Sequence, residues 1–199
     1  MDHFARLGLP AALELEAASL DRAYFTLQRQ WHPDRFVGRP PEERARASAE
    51  AAALNDAYRT LKDPLARAAY LAALKGIELP GDGKTIDDPD LLMEAMEARE
   101  ALHEVETIEA VDALAAQARD GVGSGLRALA SLFLQDDKPA IRKALLRLRY
   151  LDKFAEEARA RRILSFFDVD KLRRKPRDPE KEAWLQAHNQ DSRFLSAKR

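Results

Sequence analysis

The residues best equipped for chemistry stand together at Trp31-His32-Pro33-Asp34-Arg35. An imidazole, a carboxylate and a guanidinium lie within four positions. They offer a hydrogen-bonding ring, a counter-ion for a cation, and a positive charge. Pro33 has no N–H and a fixed φ, and it pushes His32 out of the α region. A helix arriving from Leu20 must therefore stop near Trp31, and the next three residues form a rigid turn. That turn holds all three groups in solvent, which suits recognition. Catalysis is poorly served elsewhere. The histidines are His3, His32, His103 and His188; no pair has helix-face metal spacing, and cysteine is absent. Ser19, Ser165 and Ser192 lack a nucleophile-elbow context. Gly83-Lys84-Thr85 would need a glycine at position 78 to read as a phosphate-binding loop. Glu78 stands there, and no strand precedes it. Neither an enzyme, nor a metal site, nor a bound cofactor is expected.

The elements that position this turn are helices. Ala and Leu dominate, β-branched residues are sparse, and Arg and Glu are abundant, so the chain is expected to be all-α. Charged residues make up 34% and hydrophobic ones 46%, a balance that points to a soluble globular chain and argues against disorder. The net charge of −1 gives no global field for nucleic acid or an acidic membrane. No apolar run approaches the ~20 residues of a membrane span, and the N-terminus shows no signal-peptide pattern. Absent cysteine fits a reducing cytoplasm.

In chain order, 1–9 reads as a short helix with Phe4 and Leu7 inward, ended by Leu9-Pro10. Residues 17–31 carry Leu20, Ala23, Tyr24, Leu27 and Trp31 on one face, with Ser19 as a candidate cap. Their outer face carries Arg22, Gln28 and Arg29. From Ser19 to Arg39 there are four Arg and two Asp, a modest positive surplus. A third helix, 41–62, has an inner stripe of Ala47, Ala51, Leu54, Tyr58 and Leu61. It pairs with the second as an antiparallel hairpin with the turn at its tip. Asp63-Pro64 caps a fourth helix running to about Lys75, with Gly76 as its stop. The Gly/Pro-rich segment 76–87 is the clear linker.

Asp88-Pro89 opens a helix to about Glu106. Leu91, Ala95, Ala98, Leu102 and Val105 form its bundle seam. Leu92, Met93 and Met96 lie off that seam, as do Glu97, Glu100 and Glu104. Either two neighbours bury a wider face, or this is a Met-containing patch with an acidic rim. Residues 107–135 read as a helix, but Gly121, Gly123 and Gly125 fall within it. The helix is broken there, or packing holds it together. A last helix starts near Pro139 and runs to Phe166 or Phe167. Its seam is Ile141, Leu145, Leu148, Leu151 or Asp152, Ala155 and Ala158, with Tyr150 and Phe154 to the side. Residues 169–199 form a charged extension. Its basic cluster, Lys171-Leu172-Arg173-Arg174-Lys175-Pro176-Arg177, reads as a solvated tail, with contact to nucleic acid as the minority reading.

Four pieces in order resemble the J domain of DnaJ-type co-chaperones. They are Asp2-His3-Phe4-Ala5-Arg6-Leu7-Gly8-Leu9, the helix before the turn, His32-Pro33-Asp34, and the run from Leu54-Asn55-Asp56-Ala57-Tyr58 through Asp63-Pro64, Arg67 and Tyr70. The whole of 1 to about 168 resembles the HscB family, J-type co-chaperones of iron–sulfur cluster assembly. Outside the J domain the resemblance is carried by Leu91 to Glu100 and by Leu148-Arg149-Tyr150-Leu151-Asp152-Lys153. It implies a J domain at 1–75, a linker at 76–83 and a C-terminal three-helix bundle at 84–168, set as an L-shaped pair. It implies that His32, Pro33, Asp34, Arg35, Arg22 and Arg29 meet a DnaK-type, HscA-like ATPase chaperone. It further implies that Leu92, Met93, Met96, Glu97, Glu100, Glu104 and Tyr150 grip an IscU-like cluster scaffold protein. With no thiolate of its own, the chain is expected to act on the cluster's carrier. A monomer is expected. Two rival functions are a J protein for a different client and a helical nucleic-acid-associated protein using the basic tail.

Overall fold

Proline and short polar caps set most of the helix boundaries. The computed structural model describes residues 1–81 and 88–166. Helix α1 spans His3–Leu7, its start capped where the Asp2 carboxylate accepts the Ala5 N–H at 2.8 Å. It ends earlier than Leu9-Pro10, because Gly8 takes a left-handed φ of 65°. Helix α2 spans Ala17–Trp31. Ser19 does not cap it. Glu16 holds the N-cap position, and the Ser19 hydroxyl donates to the Glu16 carboxylate at 2.7 Å. A 3-10 turn, Pro33–Phe36, follows, then α3 over Pro41–Lys62 and α4 over Pro64–Leu74. Asp63 caps α4 through the Ala66 N–H at 2.6 Å, and Gly76 stops the chain's helical path at φ 74°.

The second half repeats this grammar. Asp88 caps α5 (Pro89–Glu104), Thr107 caps α6 (Ile108–Gln135), and Asp137 caps α7 (Lys138–Phe166) by accepting the Ala140 N–H at 3.0 Å. Among the described residues there is no strand, and no helix is long and apolar enough to cross a membrane. The chain divides into the units Met1–Arg159 and Ala160–Arg199; helices α1 to α6 and most of α7 belong to the first. The basic cluster of the extension and Gly83-Lys84-Thr85 lie outside the described residues.

Helices α2 and α3 run antiparallel. Asp21 accepts from Tyr58, Tyr24 donates to Asn55, and Trp31 lies under Arg46, so the partners run backwards along α3. The core beneath them contains Phe4, Leu7, Leu20, Leu54, Leu61 and Leu71. It does not stop at the expected linker. Ile77 is buried in it, and so are Leu129, Ile141, Leu145 and Leu148 from α6 and α7. Leu79 packs on this core and on a second one formed by α5, α6 and the other side of α7. Residues 76–81 are thus partly structural. Arg149 also donates to the Pro80 carbonyl at 3.0 Å.

Helix α7 is therefore buried on two sides. Ile141, Leu145 and Leu148 face the first core, and Leu146, Tyr150 and Phe154 face the second. The expectation that Tyr150 and Phe154 lie to the side fails, because two interleaved stripes at helical spacing serve two neighbours.

Two of the three glycines of α6, Gly121 and Gly125, are explained by the same crowding. The helix is continuous across them. A Cβ on Gly125 would stand 2.5 Å from Leu148 Cδ2, and one on Gly121 would stand 3.1 Å from Leu151 Cδ1. Leu148 is buried and has little room to move. Gly123 meets nothing closer than the flexible Arg127 guanidinium at 3.6 Å. Gly123→Ala should therefore stabilise by roughly 0.5–1 kcal/mol, the helix-propensity gain. Gly125→Ala should instead destabilise by about 1 kcal/mol, because overpacking outweighs that gain. Denaturant melts of the two variants check the opposite signs.

Asp88 gives a pH-dependent contribution. Its carboxylate accepts the Leu91 N–H at 3.2 Å and lies 3.2 Å from Lys143 Nζ. The capping hydrogen bond first, and Lys143 second, hold its pKa below the ordinary carboxylate value. A depressed folded pKa gives stability that is present above the unfolded value, about 3.9, and lost as pH falls through the folded value. Asp88→Asn keeps a capping oxygen without the charge. Below about pH 4 its melting temperature should fall less steeply than that of the wild type.

Candidate functional site

Two surfaces in the Met1–Arg159 unit collect the residues singled out in the sequence. The first is the turn after α2. His32 leaves the helix with φ −60° and ψ 128°, the extended conformation that a following proline imposes. Pro33 opens the 3-10 turn, where its missing N–H costs nothing. His32 Nδ1 accepts the Asp34 N–H at 3.3 Å. With Nδ1 accepting, the neutral ring carries its proton on Nε2, so the outward nitrogen is a donor. The Asp34 carboxylate lies 3.6 Å from Nδ1. Both side chains are exposed.

The support beneath the turn includes residues that the sequence does not single out. Arg35 donates to the Arg29 carbonyl at 3.1 Å, tying the turn back to the end of α2. Arg35 is thus partly a brace. Phe36 stacks on Trp31, with ring centroids 6.1 Å apart and planes 2° from parallel, and the Arg46 guanidinium sits 5.5 Å over the Trp31 ring. Phe36 directly follows the motif in sequence, but nothing in its spacing marks it as a staple. Arg22 and Arg29 are exposed on the outer face of α2, seven residues and so two turns apart.

Two motif residues also have structural work. Arg67 donates to the Leu13 carbonyl at 2.7 Å and the Leu61 carbonyl at 2.6 Å, pinning the α1–α2 loop to the end of α3. Burial lowers its pKa, yet a guanidinium remains charged. The Tyr70 hydroxyl accepts the His3 N–H at 3.0 Å, and its ring stacks on His3.

The second surface is on α5. Leu92, Met93 and Met96 are 37%, 65% and 72% exposed. Their spacing of three and four places them side by side on the helix. Glu97, Glu100 and Glu104 are exposed and border the two methionines on the side away from Leu92. Leu92 lines a groove of about 1270 Å³ between α4, α5, α7 and residues 76–81.

Tyr150 corrects the expected patch. It is 7% exposed, its hydroxyl donates to the Ala95 carbonyl at 3.2 Å, and Arg99 covers its ring at 5.7 Å. Burial pushes the phenol pKa up, so it remains a donor. Arg99 is itself held by Glu157 at 3.1 and 3.2 Å. Tyr150 walls the groove and clamps α5 to α7; it does not stand among the exposed side chains. The spacing Leu146, Tyr150, Phe154 is the signal in the sequence for this burial.

A helical hairpin with an exposed His-Pro-Asp turn at its tip, two flanking helices and a packed C-terminal helical domain defines a class: J-domain proteins. The DnaJ domain family matches residues 2–70, and the family described as HSCB C-terminal oligomerisation domain matches 87–159. The co-chaperone protein HscB of Proteus mirabilis is 41% identical over 96 residues, which is 48% of this chain and 56% of that protein. The chain thus spans little more than half the length of this curated relative. Among solved structures, human co-chaperone HscB is 31% identical with a TM-score of 0.76, covering 82% of this chain and 83% of that one. Chaperone HscB from Vibrio cholerae is 33% identical with a TM-score of 0.70, covering 80% and 96%. The chain belongs to the HscB family of J-domain co-chaperones.

Proposed function

We propose that this protein is a co-chaperone in iron–sulfur cluster assembly. It binds the ATP-bound form of a DnaK-type, HscA-like chaperone through His32, Pro33 and Asp34 and accelerates hydrolysis. It delivers an IscU-like scaffold protein to that chaperone through the apolar face of α5. The protein itself turns over no substrate.

The observation that carries this reading is the braced, solvent-exposed turn. His32 offers an Nε2–H donor, Asp34 a carboxylate, and Pro33 fixes both. A co-chaperone accelerates its partner by binding more tightly to the conformation in which hydrolysis is fast. Rigid donors and acceptors suit that task, because little ordering cost is left at the moment of binding. Arg22 and Arg29 steer the encounter with an acidic partner surface. Family membership supports the same assignment. The α5 face supports the delivery half, since exposed apolar side chains with a charged border are characteristic of interaction sites.

The test is single-turnover ATP hydrolysis by a DnaK-type chaperone, alone, with this protein, and with this protein plus scaffold. Stimulation by the protein and further stimulation by the scaffold are expected. A rate unchanged by the protein would overturn the reading.

A further inference from the structure

Phe25 stands on α2 in the middle of the arginine face. It lies three residues after Arg22 and four before Arg29, so helical periodicity sets the three together, away from buried Leu20. His32 comes seven residues later, about 10 Å further along the axis. Phe25 is 53% exposed. Its ring meets Tyr24, the centroids 5.2 Å apart. Tyr24 is fixed in turn, stacked 4.0 Å from Tyr58 and donating to Asn55 at 2.8 Å. Asp21, an acid on the same helix, is turned to Tyr58 and Lys62. The face therefore presents a supported aromatic side chain between two cations.

We infer that Phe25 is the apolar anchor by which this face docks on the ATPase chaperone, entering an apolar depression rimmed by carboxylates. This rests on the proposed function and adds to it a residue that sets affinity. Exposed guanidinium–carboxylate pairs mainly raise the on-rate and contribute little affinity. An aromatic ring on a rigid base, desolvated between arginines, supplies what they lack. A second copy of this chain fits the face poorly. A two-fold contact would bring Arg22 and Arg29 near their own copies, where like charges repel.

The experiment titrates wild type, Phe25→Ala, Phe25→Leu and His32→Gln into a DnaK-type chaperone and measures single-turnover hydrolysis. Phe25→Ala should raise the half-maximal concentration about tenfold at an unchanged plateau, while Phe25→Leu stays within about threefold of wild type. His32→Gln should lower the plateau. Circular dichroism of Phe25→Ala should match wild type. An unshifted half-maximal concentration, a lowered plateau or lost helix content in Phe25→Ala would overturn the anchor while leaving the function intact. A sedimentation coefficient that differs between wild type and Phe25→Ala would assign the face to self-association and overturn it too. No stimulation by wild type would overturn the function and the anchor with it.

Discussion

His32→Gln is expected to reduce stimulation of the ATPase to background while leaving thermal stability within error of wild type. The side chain is half in solvent and makes one local hydrogen bond, so little folding free energy depends on it. Its replacement changes what the partner meets. The imidazole uses Nδ1 internally, which leaves Nε2–H as the donor for the partner. A glutamine amide offers a donor, but on a longer chain with more rotamers. It must spend ordering entropy that the ring does not. A lost hydrogen bond to a charged partner group is worth roughly 1.5–3 kcal/mol, or about 10- to 150-fold in binding to the activated state. Asp34→Asn should behave alike, because it removes the charge and keeps the shape. Single-turnover hydrolysis read beside a thermal melt checks both. Undiminished stimulation by His32→Gln would remove the turn from the mechanism.

The helix pattern is legible in the sequence because its determinants are local. Pro33, Pro41, Pro64 and Pro89 start elements, Asp63 and Asp88 cap them, and Gly76 ends one. Each acts within about a turn of itself, which a linear reading can see. What stays hidden depends on contacts distant in sequence. Nothing near Ile77 or Leu79 announces burial against α6 and α7, so Gly- and Pro-rich neighbours make the segment read as a tether. Gly125 reads as a weakness until Leu148 is set against it. Ser19 has the residue type of a cap, whereas the helix begins two residues earlier at Ala17. Tyr150 is misplaced by its sequence for a related reason. A helix with one buried stripe leaves its flanks free, but α7 has two, and the second stripe, Leu146, Tyr150 and Phe154, reads as buried only once a second neighbour is counted.

That correction sharpens the expectation for the α5 face. Leu92→Ala combined with Met96→Ala should weaken binding of an IscU-like scaffold on the order of a hundredfold. Each side chain contributes roughly 1.5–3 kcal/mol when fully buried in an interface, and Leu92 less because it is already partly covered. Association has its own cost of several kcal/mol, so the wild-type affinity should be moderate, as suits a client that must be handed on. Glu97, Glu100 and Glu104 changed together to Gln should act differently. They border the patch in solvent, so their loss should slow association and flatten its salt dependence while dissociation changes little. Tyr150→Phe separates the clamp from the binding face. It removes the hydrogen bond to the Ala95 carbonyl and should cost about 1 kcal/mol of stability. Scaffold affinity should remain that of wild type. Surface plasmon resonance on the three variants, with thermal melts alongside, gives the comparison. If Tyr150→Phe loses scaffold binding while the double alanine variant keeps it, the client contacts the groove and the exposed methionines are not its hold.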